Sequence, residues 1–351
     1  MRRRARSLAA VACPSSPAGS VARRRCCPLI CTRTASSPTA TRWSSRAPLW
    51  PPARTTKRSS SDLCGVAGSV SCRVVMVALA WIRGGGELGT GVAHALFEAG
   101  LQLVVIELAL PRTLRQGVAF ASAVIEGRIS VGGVEAIHCL DHDAIQAAWA
   151  AHQVPVWTGA ESLLELRPAV LVDARMRRLT EPLSTIDEAR TVIGIGPGYV
   201  AGQDVHYVIE SNRGPRLGQV ITQGGAEDHT GIPGNVQGRR EERLLRAPRA
   251  GTLTRTAALG DFVEAGDVVA QVDGEPIRAR LRGMIRGLKL TGVSVGAHHK
   301  VGDVDPRRDR TLLDTMTDKA RAVGQAAVKA VTLAGVLTPS PQSGEPQEEK
   351  D

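Results

Sequence analysis

Cysteine is nearly absent from most of this 351-residue chain. Six of its seven cysteines precede residue 75, and Cys139 is the only one that follows. One thiol cannot build a disulfide framework or a cysteine-based zinc site, so residues 76–351 depend on neither. Such cysteine usage is typical of a reducing compartment, and we expect a cytoplasmic protein.

Long hydrophobic runs are missing as well. No stretch approaches the ~18 apolar residues that a membrane-spanning helix needs. The segment 1–75 also lacks the apolar core of a secretory signal. The motifs H-E-x-x-H and C-x-x-C do not occur after position 75, which leaves zinc-protein functions without support. We therefore predict that the protein has no membrane partner.

The net charge of +10 is confined to the N-terminal segment. Residues 1–75 contain 14 basic residues and one acid, Asp62, whereas 30 basic and 33 acidic residues follow. The mildly acidic remainder argues against a nucleic-acid partner. The segment itself can be a transit peptide, a basic disordered tail, or upstream sequence wrongly joined to the true start. We favour the last, with a natural start at Val74 or Met76, and expect residues 1–75 to be disordered.

Residues 76–240 alternate strand-like and helix-like segments, which predicts helices on both faces of a mainly parallel sheet. We expect a Rossmann-like α/β domain, with an antiparallel hairpin around Gly132-Gly133. The expected strands cover 77–82, 103–107, 169–173 and 191–195, and the expected helices cover 88–99, 112–124, 142–151 and 160–166.

Residues 241–306 contain an internal repeat of two copies. Each copy reads A-x-x-x-G followed by G-x-x-V, and a constant offset matches Gly251 to Gly283 and Gly260 to Gly292. Two units this short must pack on each other. They predict a small barrel-sandwich domain like those of biotinyl and lipoyl carriers. The turn between the halves, residues 272–276, has no lysine to modify, so we expect no swinging arm.

After the repeat, apolar residues recur at helical spacing from Leu312 to Val331. This spacing predicts one C-terminal helix within residues 307–337 that packs back on the body. Residues 338–351 are rich in Pro, Ser, Gln and Glu and predict a disordered tail.

A glycine-rich turn is the main candidate for a binding site. Gly84, Gly86 and Gly89 fit G-x-G-x-x-G between a strand and a helix, where backbone N–H groups can bind a pyrophosphate. Glu107 follows the next strand, about 20 residues on, where an acid can hold a ribose hydroxyl. These residues predict a nucleotide site; the alternative is that the glycines only pack the helix on the sheet.

A second group of candidates lies further along the chain. Gly196 and Gly198 follow a strand and can form another ligand-binding loop, and Asp173 ends a neighbouring strand where ligand crevices occur. His206 and Glu210 share a face in either helix or strand, so they can pair as acid and base. We place these residues in one crevice, with His206, Glu210 and Asp173 as catalytic candidates and the two glycines as cofactor-binding candidates. Asp204 and His229 are the nearest further donors, but we assign no metal ligand. A histidine that only orders its loop is the alternative.

Several segments recur in order across about residues 76–330. Taken as a set they resemble the YqeB-type accessory proteins of selenium-dependent molybdenum hydroxylases. The segment Arg177-Arg178-Leu179 departs from that family's Ala-Lys-Arg-Asn. The matching segments are Ile82–Val92, Ala119–Val124, Val172–Ala174, Ile193–Gly198, Asp204–His206, Ile209–Gly214, Thr230–Gly234, Arg246–Pro248 and Gly302–Pro306.

The resemblance implies a maturation factor for a molybdenum-cofactor enzyme. Its partners would be the molybdenum hydroxylase apoenzyme or proteins of cofactor synthesis. With the glycine turn, we expect a nucleotide-bearing ligand, either NAD(P) or the dinucleotide form of the molybdenum cofactor. Two alternatives stay open: an NAD(P)-dependent oxidoreductase with hydride transfer near His206 and Glu210, and a non-catalytic scaffold whose β domain docks a partner.

Overall fold

The computed structural model describes residues 78–176, 184–229, 231 and 233–337. The predicted extension over residues 1–75 and the predicted tail over residues 338–351 lie outside this part of the chain. Within it, every helix is too short or too polar to cross a membrane.

The first half of the described chain forms one large mixed sheet with helices packed on it. The elements are β1 (Leu79–Arg83), α1 (Glu87–Glu98), β2 (Gln102–Ile106), α2 (Ala123–Glu126), β3 (Arg128–Val131), β4 (Val134–Cys139), α3 (His142–Ala150), β5 (Val154–Trp157), β6 (Val170–Asp173), β7 (Thr191–Ile195), β8 (Tyr207–Ile209) and β9 (Val220–Ile221). The nine strands lie in the order β3-β4-β5-β2-β1-β6-β7-β8-β9. The seven inner strands are parallel to one another, and the edge strands β3 and β9 are antiparallel to their neighbours.

The central strands are buried on both faces, as expected for parallel strands covered by helices. Alternate residues of β1 enter different cores: Ala80 and Ile82 pack with α1, and Trp81 packs with α3 residue Ile145. The α/β class and the hairpin at Gly132-Gly133, where both φ angles are positive, agree with the prediction.

Two predicted helices are wrong. Residues 112–122 form only short 3₁₀ turns before α2, because this segment bonds to a distant strand: the Leu288 N–H donates to the Leu114 carbonyl, and Gln116 Nε2 donates to the Leu288 carbonyl. Residues 160–166 contain a 3₁₀ turn, Glu161–Leu164, and Pro168 follows closely, which disfavours helical backbone before it. The buried strand β5 was not predicted; it is short and contains a proline.

The repeat region forms two four-stranded antiparallel sheets that enclose a core of their own. Its strands are β10 (Leu244–Arg246), β11 (Gly251–Arg255), β12 (Phe262–Val263), β13 (Val268–Val272), β14 (Glu275–Arg278), β15 (Gly283–Leu288), β16 (Ser294–Val295) and β17 (Lys300–Asp305). The strand orders are β10-β17-β15-β12 and β14-β13-β11-β16. The offset that carries Gly251 onto Gly283 also carries β10–β13 onto β14–β17. The two sheets are therefore equivalent, and the repeat units pack on each other as predicted.

The C-terminal segment packs on the body but is not one continuous helix. It forms α4 (Thr311–Asp314) and α5 (Asp318–Leu333), separated where the Thr317 hydroxyl accepts a hydrogen bond from the Ala320 N–H and caps α5. Helix α5 crosses α1 at very short distance: a Cβ added to Gly324 would lie 2.2 Å from the Gly91 carbonyl oxygen. Small residues on both helices therefore set this contact.

Candidate functional site

The glycine turn opens into a cavity of about 780 Å³, a volume typical of small-molecule sites. Three parts of the chain form its walls. The first is the carboxyl edge of the large sheet with the N-terminus of α1. The second is the loop after β2, residues 107–115, and the third combines β15 and β17 with the start of α5.

The three glycines of the turn have three different structural roles. Gly84 has a φ of +95°, which an L side chain rarely adopts. A Cβ on Gly89 would lie 1.8 Å from the Gly84 carbonyl oxygen, so only glycine lets α1 pack this close to the turn. A Cβ on Gly86 would instead meet nothing nearer than Thr113 Oγ1 at 4.0 Å. Gly86 caps α1 and faces the cavity.

Glu107 lies beside this turn, as the sequence spacing predicted. Its Oε2 accepts a hydrogen bond of 2.8 Å from the Gly85 N–H, and its Oε1 accepts one from the Leu108 N–H. Burial raises the pKa of Glu107 above its ordinary value, although these two bonds and Arg112 oppose the shift. The carboxylate therefore holds the turn against the end of β2 while lining the cavity.

Basic residues outnumber acids on the cavity wall. Four of the eight basic residues pair with acids, and one of them, Arg286, lies only within 3.8 Å of Asp305. Arg83 binds Glu161 at 2.6 Å, Arg115 binds Glu87 at 2.6 Å, and Arg175 binds Asp173. The basic residues are Arg83, Arg112, Arg115, Arg175, Arg213, Arg286, Lys300 and Lys319, and the acids are Glu87, Glu107, Glu161 and Asp303.

The other lining acids compensate little of the remaining charge. Asp303 is bound to Arg243 outside the cavity at 3.1 Å. Among the described residues, the side chains of Arg112, Arg213, Lys300 and Lys319 line the cavity and form no ion pair or hydrogen bond. The cavity is therefore electropositive and suited to an anionic ligand.

Asp173 anchors a cavity residue and does not line the cavity itself. It is 1% exposed and accepts hydrogen bonds from Arg175 and from the Ser184 hydroxyl, the latter at 2.7 Å. Burial alone would raise its pKa, but Arg175, with hydrogen bonds from Tyr199 and Ser184, holds the pKa below its ordinary value. Asp173 thus carries a permanent charge that fixes the Arg175 guanidinium.

The second glycine loop packs against its surroundings and lies outside the cavity lining. Gly196 and Gly198 both have positive φ angles. A Cβ on Gly196 would lie 2.7 Å from Ser211 Oγ, and a Cβ on Gly194 would lie 2.5 Å from the Tyr199 ring. These contacts explain Gly194 and Gly196 by close packing.

The prediction that His206 shares a crevice with Asp173 and the Gly196 loop is wrong. His206 precedes β8 at the amino edge of the sheet, where its Nδ1 accepts a 3.0 Å hydrogen bond from the Val192 N–H. Gly196 follows the opposite end of the adjacent strand, four residues from Val192, or ~13 Å at ~3.3 Å per residue. Burial lowers the pKa of His206. The structural interpretation of this histidine is therefore preferred.

Glu210 lies at the carboxyl edge of the large sheet, but backbone N–H groups already bind both of its carboxylate oxygens. It is fully buried, and its two oxygens accept hydrogen bonds from the Asn212 and Glu227 N–H groups at 2.7 and 2.8 Å. These bonds order the loop after β8. The His206–Glu210 pairing is also wrong, because the two residues flank opposite ends of the same short strand.

Two further patterns carry no site in the described residues. No three His, Cys, Asp or Glu side chains converge there as a metal site would require. Asp204, the suggested third donor, accepts from the Val200 N–H instead. Residues Gly292–Gly296 fit G-x-S-x-G, but Ser294 is exposed on the two-residue strand β16, not on a strand-to-helix turn as a hydrolase nucleophile would be.

Comparison with known proteins identifies a relative of unknown activity. No protein-family model matches the chain. The chain is 41% identical over 255 residues to the uncharacterized protein YqeB of Escherichia coli (strain K12). The aligned region covers 72% of this chain and 47% of YqeB. The chain thus spans about half the length of that relative. The link to molybdenum hydroxylases stays a prediction.

Two solved structures show only weak likeness. A succinylglutamatedesuccinylase/aspartoacylase from Rhodobacter sphaeroides is 22% identical, with 24% of this chain and 30% of that chain covered and a TM-score of 0.17. An aspartoacylase family protein from Mesorhizobium loti is 13% identical, with coverages of 58% and 84% and a TM-score of 0.20. Scores of this size do not indicate a common fold.

Proposed function

We propose that the protein binds a nucleotide-bearing anionic ligand in the electropositive cavity, with the ligand's diphosphate at the Gly84–Gly89 turn. In this proposal the large sheet is a Rossmann-like nucleotide-binding domain. The repeat region is a barrel-sandwich domain that covers the ligand. The observation that carries the proposal is the uncrowded position of Gly86, where an added Cβ would have no neighbour closer than 4.0 Å.

The three glycines match what a dinucleotide turn requires of each. Such a turn needs a first glycine for its backbone conformation, a second for close approach of the pyrophosphate, and a third for close helix packing. Gly84, Gly86 and Gly89 have these properties in that order. The first N–H groups of α1 have no acceptor within the helix, so they are available to phosphate oxygens.

The rest of the cavity supports the same ligand class. Glu107 stands at the end of β2, where an acid accepts ribose hydroxyl protons, although two backbone N–H groups already bind its oxygens. Arg112 and Arg175 also line the cavity, and the positive charge of Arg112 acts on Glu107. The β13–β14 turn at Asp273-Gly274 has no lysine, so the proposed role of the β domain is to cover the ligand.

We further propose that this binding serves a cytoplasmic accessory step in the maturation of a molybdenum-cofactor hydroxylase. The support is the ordered set of segments shared with YqeB-type proteins. The ligand would be the dinucleotide form of the cofactor, and the partner would be the hydroxylase apoenzyme or a cofactor-synthesis protein. NAD(P) is the alternative ligand.

Calorimetric titration of the full chain with ADP tests the nucleotide proposal. We expect saturable binding, and we expect Gly86→Val to weaken it at least tenfold, because a branched side chain would occupy the diphosphate position. The control is Ala151→Val, which adds bulk at an exposed end of α3. The proposal is wrong if ADP does not bind, or if Gly86→Val binds it as tightly as the unmodified chain does.

Affinity purification tests the accessory role. The tagged full chain should recover a molybdenum hydroxylase subunit or a cofactor-synthesis protein, and Gly86→Val should recover less of it. Steady turnover of NADH or NADPH with no such partner would favour the oxidoreductase alternative. Genes for hydroxylase subunits beside this gene would favour the accessory role.

A further inference from the structure

We propose that the cavity contains a second anion subsite, formed by Arg286, Lys300 and Lys319 on the wall provided by the β domain and α5, together with Arg213 from the loop after β8. This inference rests on the proposed nucleotide site and specifies its ligand. The ligand would carry one anionic group at the glycine turn and another, a carboxylate or a phosphate, at the far wall.

The position of Lys319 runs against the usual placement of charge on helices. It lies in the first turn of the 16-residue helix α5, where the helix dipole favours acids over bases. Burial, and next the charge of Arg213, lower the pKa of Lys319, although the charges of Glu87 and Glu210 oppose the shift. The side chain lines the cavity and forms no ion pair or hydrogen bond with the described residues. A cation kept there at such cost is explained by an anion that it binds.

Arg286 on β15 is also incompletely compensated. Its side chain is 15% exposed, and its buried Nε has no hydrogen-bond partner. The nearest acid is Asp305, whose Oδ2 is 3.8 Å from that Nε, beyond hydrogen-bond distance. Asp305 is already bound by Arg307 at 2.7 Å. The positive charge of Arg286 therefore adds to the field in the cavity.

The four cations come from separate parts of the chain, so one amphipathic face does not explain their convergence. Arg213 lies on the loop after β8, Arg286 and Lys300 lie on β15 and β17, and Lys319 lies in the first turn of α5. Like charges that converge in a partly buried space repel one another. The nearby acid Glu87 is bound to Arg115 and Thr317. A bound anion would relieve this repulsion.

Calorimetric titration of the full chain with inorganic pyrophosphate tests the subsite. We expect two pyrophosphates per chain. Lys319→Gln should remove one of them, and Gly86→Val should remove the other. Lys329→Gln is the matched control, since Lys329 is exposed on the same helix away from the cavity. It should retain both.

The outcomes separate this inference from the nucleotide proposal. If the chain binds one pyrophosphate, and binding is lost in Gly86→Val but kept in Lys319→Gln, the second subsite is wrong and the nucleotide site is supported. If the single pyrophosphate is instead lost in Lys319→Gln but kept in Gly86→Val, the nucleotide site is wrong and an anion site at the far wall is supported. Absence of binding, or loss in Lys329→Gln as well, overturns both.

A matched pair of dinucleotides tests whether one ligand bridges the two subsites. NAD and nicotinic acid adenine dinucleotide differ only by a carboxamide or a carboxylate at the far end. We expect the carboxylate form to bind about tenfold more tightly, as one charge-assisted hydrogen bond would give. Lys319→Gln should abolish that preference and Lys329→Gln should keep it. Equal affinity, or weaker binding of the carboxylate form, overturns the bridging arrangement.

Discussion

Alanine at Gly89 should mainly reduce stability and alanine at Gly86 should mainly reduce ligand binding, although the two glycines are close neighbours in the chain. At Gly89 the new Cβ would lie 1.8 Å from the Gly84 carbonyl oxygen, whereas real Cβ contacts essentially never fall below 3.0 Å. The start of α1 would therefore have to move away from a turn that Glu107 holds in place. At Gly86 the same atom would make one ordinary contact, at 4.0 Å with Thr113 Oγ1, and would displace nothing.

The magnitudes follow from two competing effects. Alanine favours a helix over glycine by ~1 kcal/mol, so an unobstructed substitution within α1 would stabilise the protein. Overpacking costs ~1–3 kcal/mol, and the obstacle at Gly89 is backbone that cannot rotate away. We expect Gly89→Ala to lose ~2 kcal/mol of unfolding free energy. Gly86→Ala should lose no more than ~1 kcal/mol, because alanine is only a somewhat poorer N-cap.

Urea unfolding followed by tryptophan fluorescence measures the loss of stability, since Trp81 and Trp157 lie in the large sheet. ADP titration measures the loss of ligand affinity. Gly86→Ala should bind ADP more weakly, whereas folded Gly89→Ala should bind it normally. Equal stability of Gly89→Ala and the unmodified chain would refute the packing argument. If Gly86→Ala and Gly86→Val both bind ADP with normal affinity, the proposed diphosphate position at Gly86 is refuted.

Three other predictions concern stability. Gly324→Ala should cost ~1–3 kcal/mol in urea unfolding, because its Cβ would lie 2.2 Å from the Gly91 carbonyl oxygen; a more stable variant would contradict the α1–α5 contact. His206→Ala should cost ~1 kcal/mol at pH 7.5 from its lost hydrogen bond to Val192. Because the folded-state pKa of His206 is lowered, its contribution is present above pH ~6.5 and lost as the pH falls below that value. The cost should therefore shrink at pH 5.5, and ADP affinity should not change; a change in affinity would return His206 to the ligand site. Asp173→Asn should cost ~3 kcal/mol at pH 7. The folded-state pKa of Asp173 is lowered, so its contribution is present above pH ~3.9 and lost as the pH falls through the folded value. Unfolding midpoints that show the same acid dependence in Asp173→Asn and the unmodified chain would contradict this ion pair.

The sequence predicted the parts of the site that depend on neighbours in the chain. A strand, a glycine turn and a helix within residues 79–98 follow from local backbone preferences. The position of Glu107 follows from the length of one βα unit. The internal repeat predicted two equivalent β units, because residues at matching positions must occupy matching places in a paired fold.

The sequence interpretation failed where several elements meet. His206 and Glu210 share a side of their strand, but spacing cannot say that one residue precedes the short strand β8 and the other follows it. Residues 112–122 have helical spacing, yet their polar groups bond to Leu288, which is far along the chain. Lys319 and Arg286 showed no pattern at all, because their nearness depends on how α5 and the β domain pack.

The sequence by itself determined the α/β class, the glycine turn with its acid, and the paired β units, since each depends on contacts between segments that are close along the chain. Only the tertiary structure decided which charges face the cavity. It placed the β domain and α5 against the carboxyl edge of the sheet, committed Asp173 and Glu210 to neighbouring groups, and moved His206 to the far edge. The physical reason is that the field at a point sums over charges that are close in space, whatever their distance along the chain.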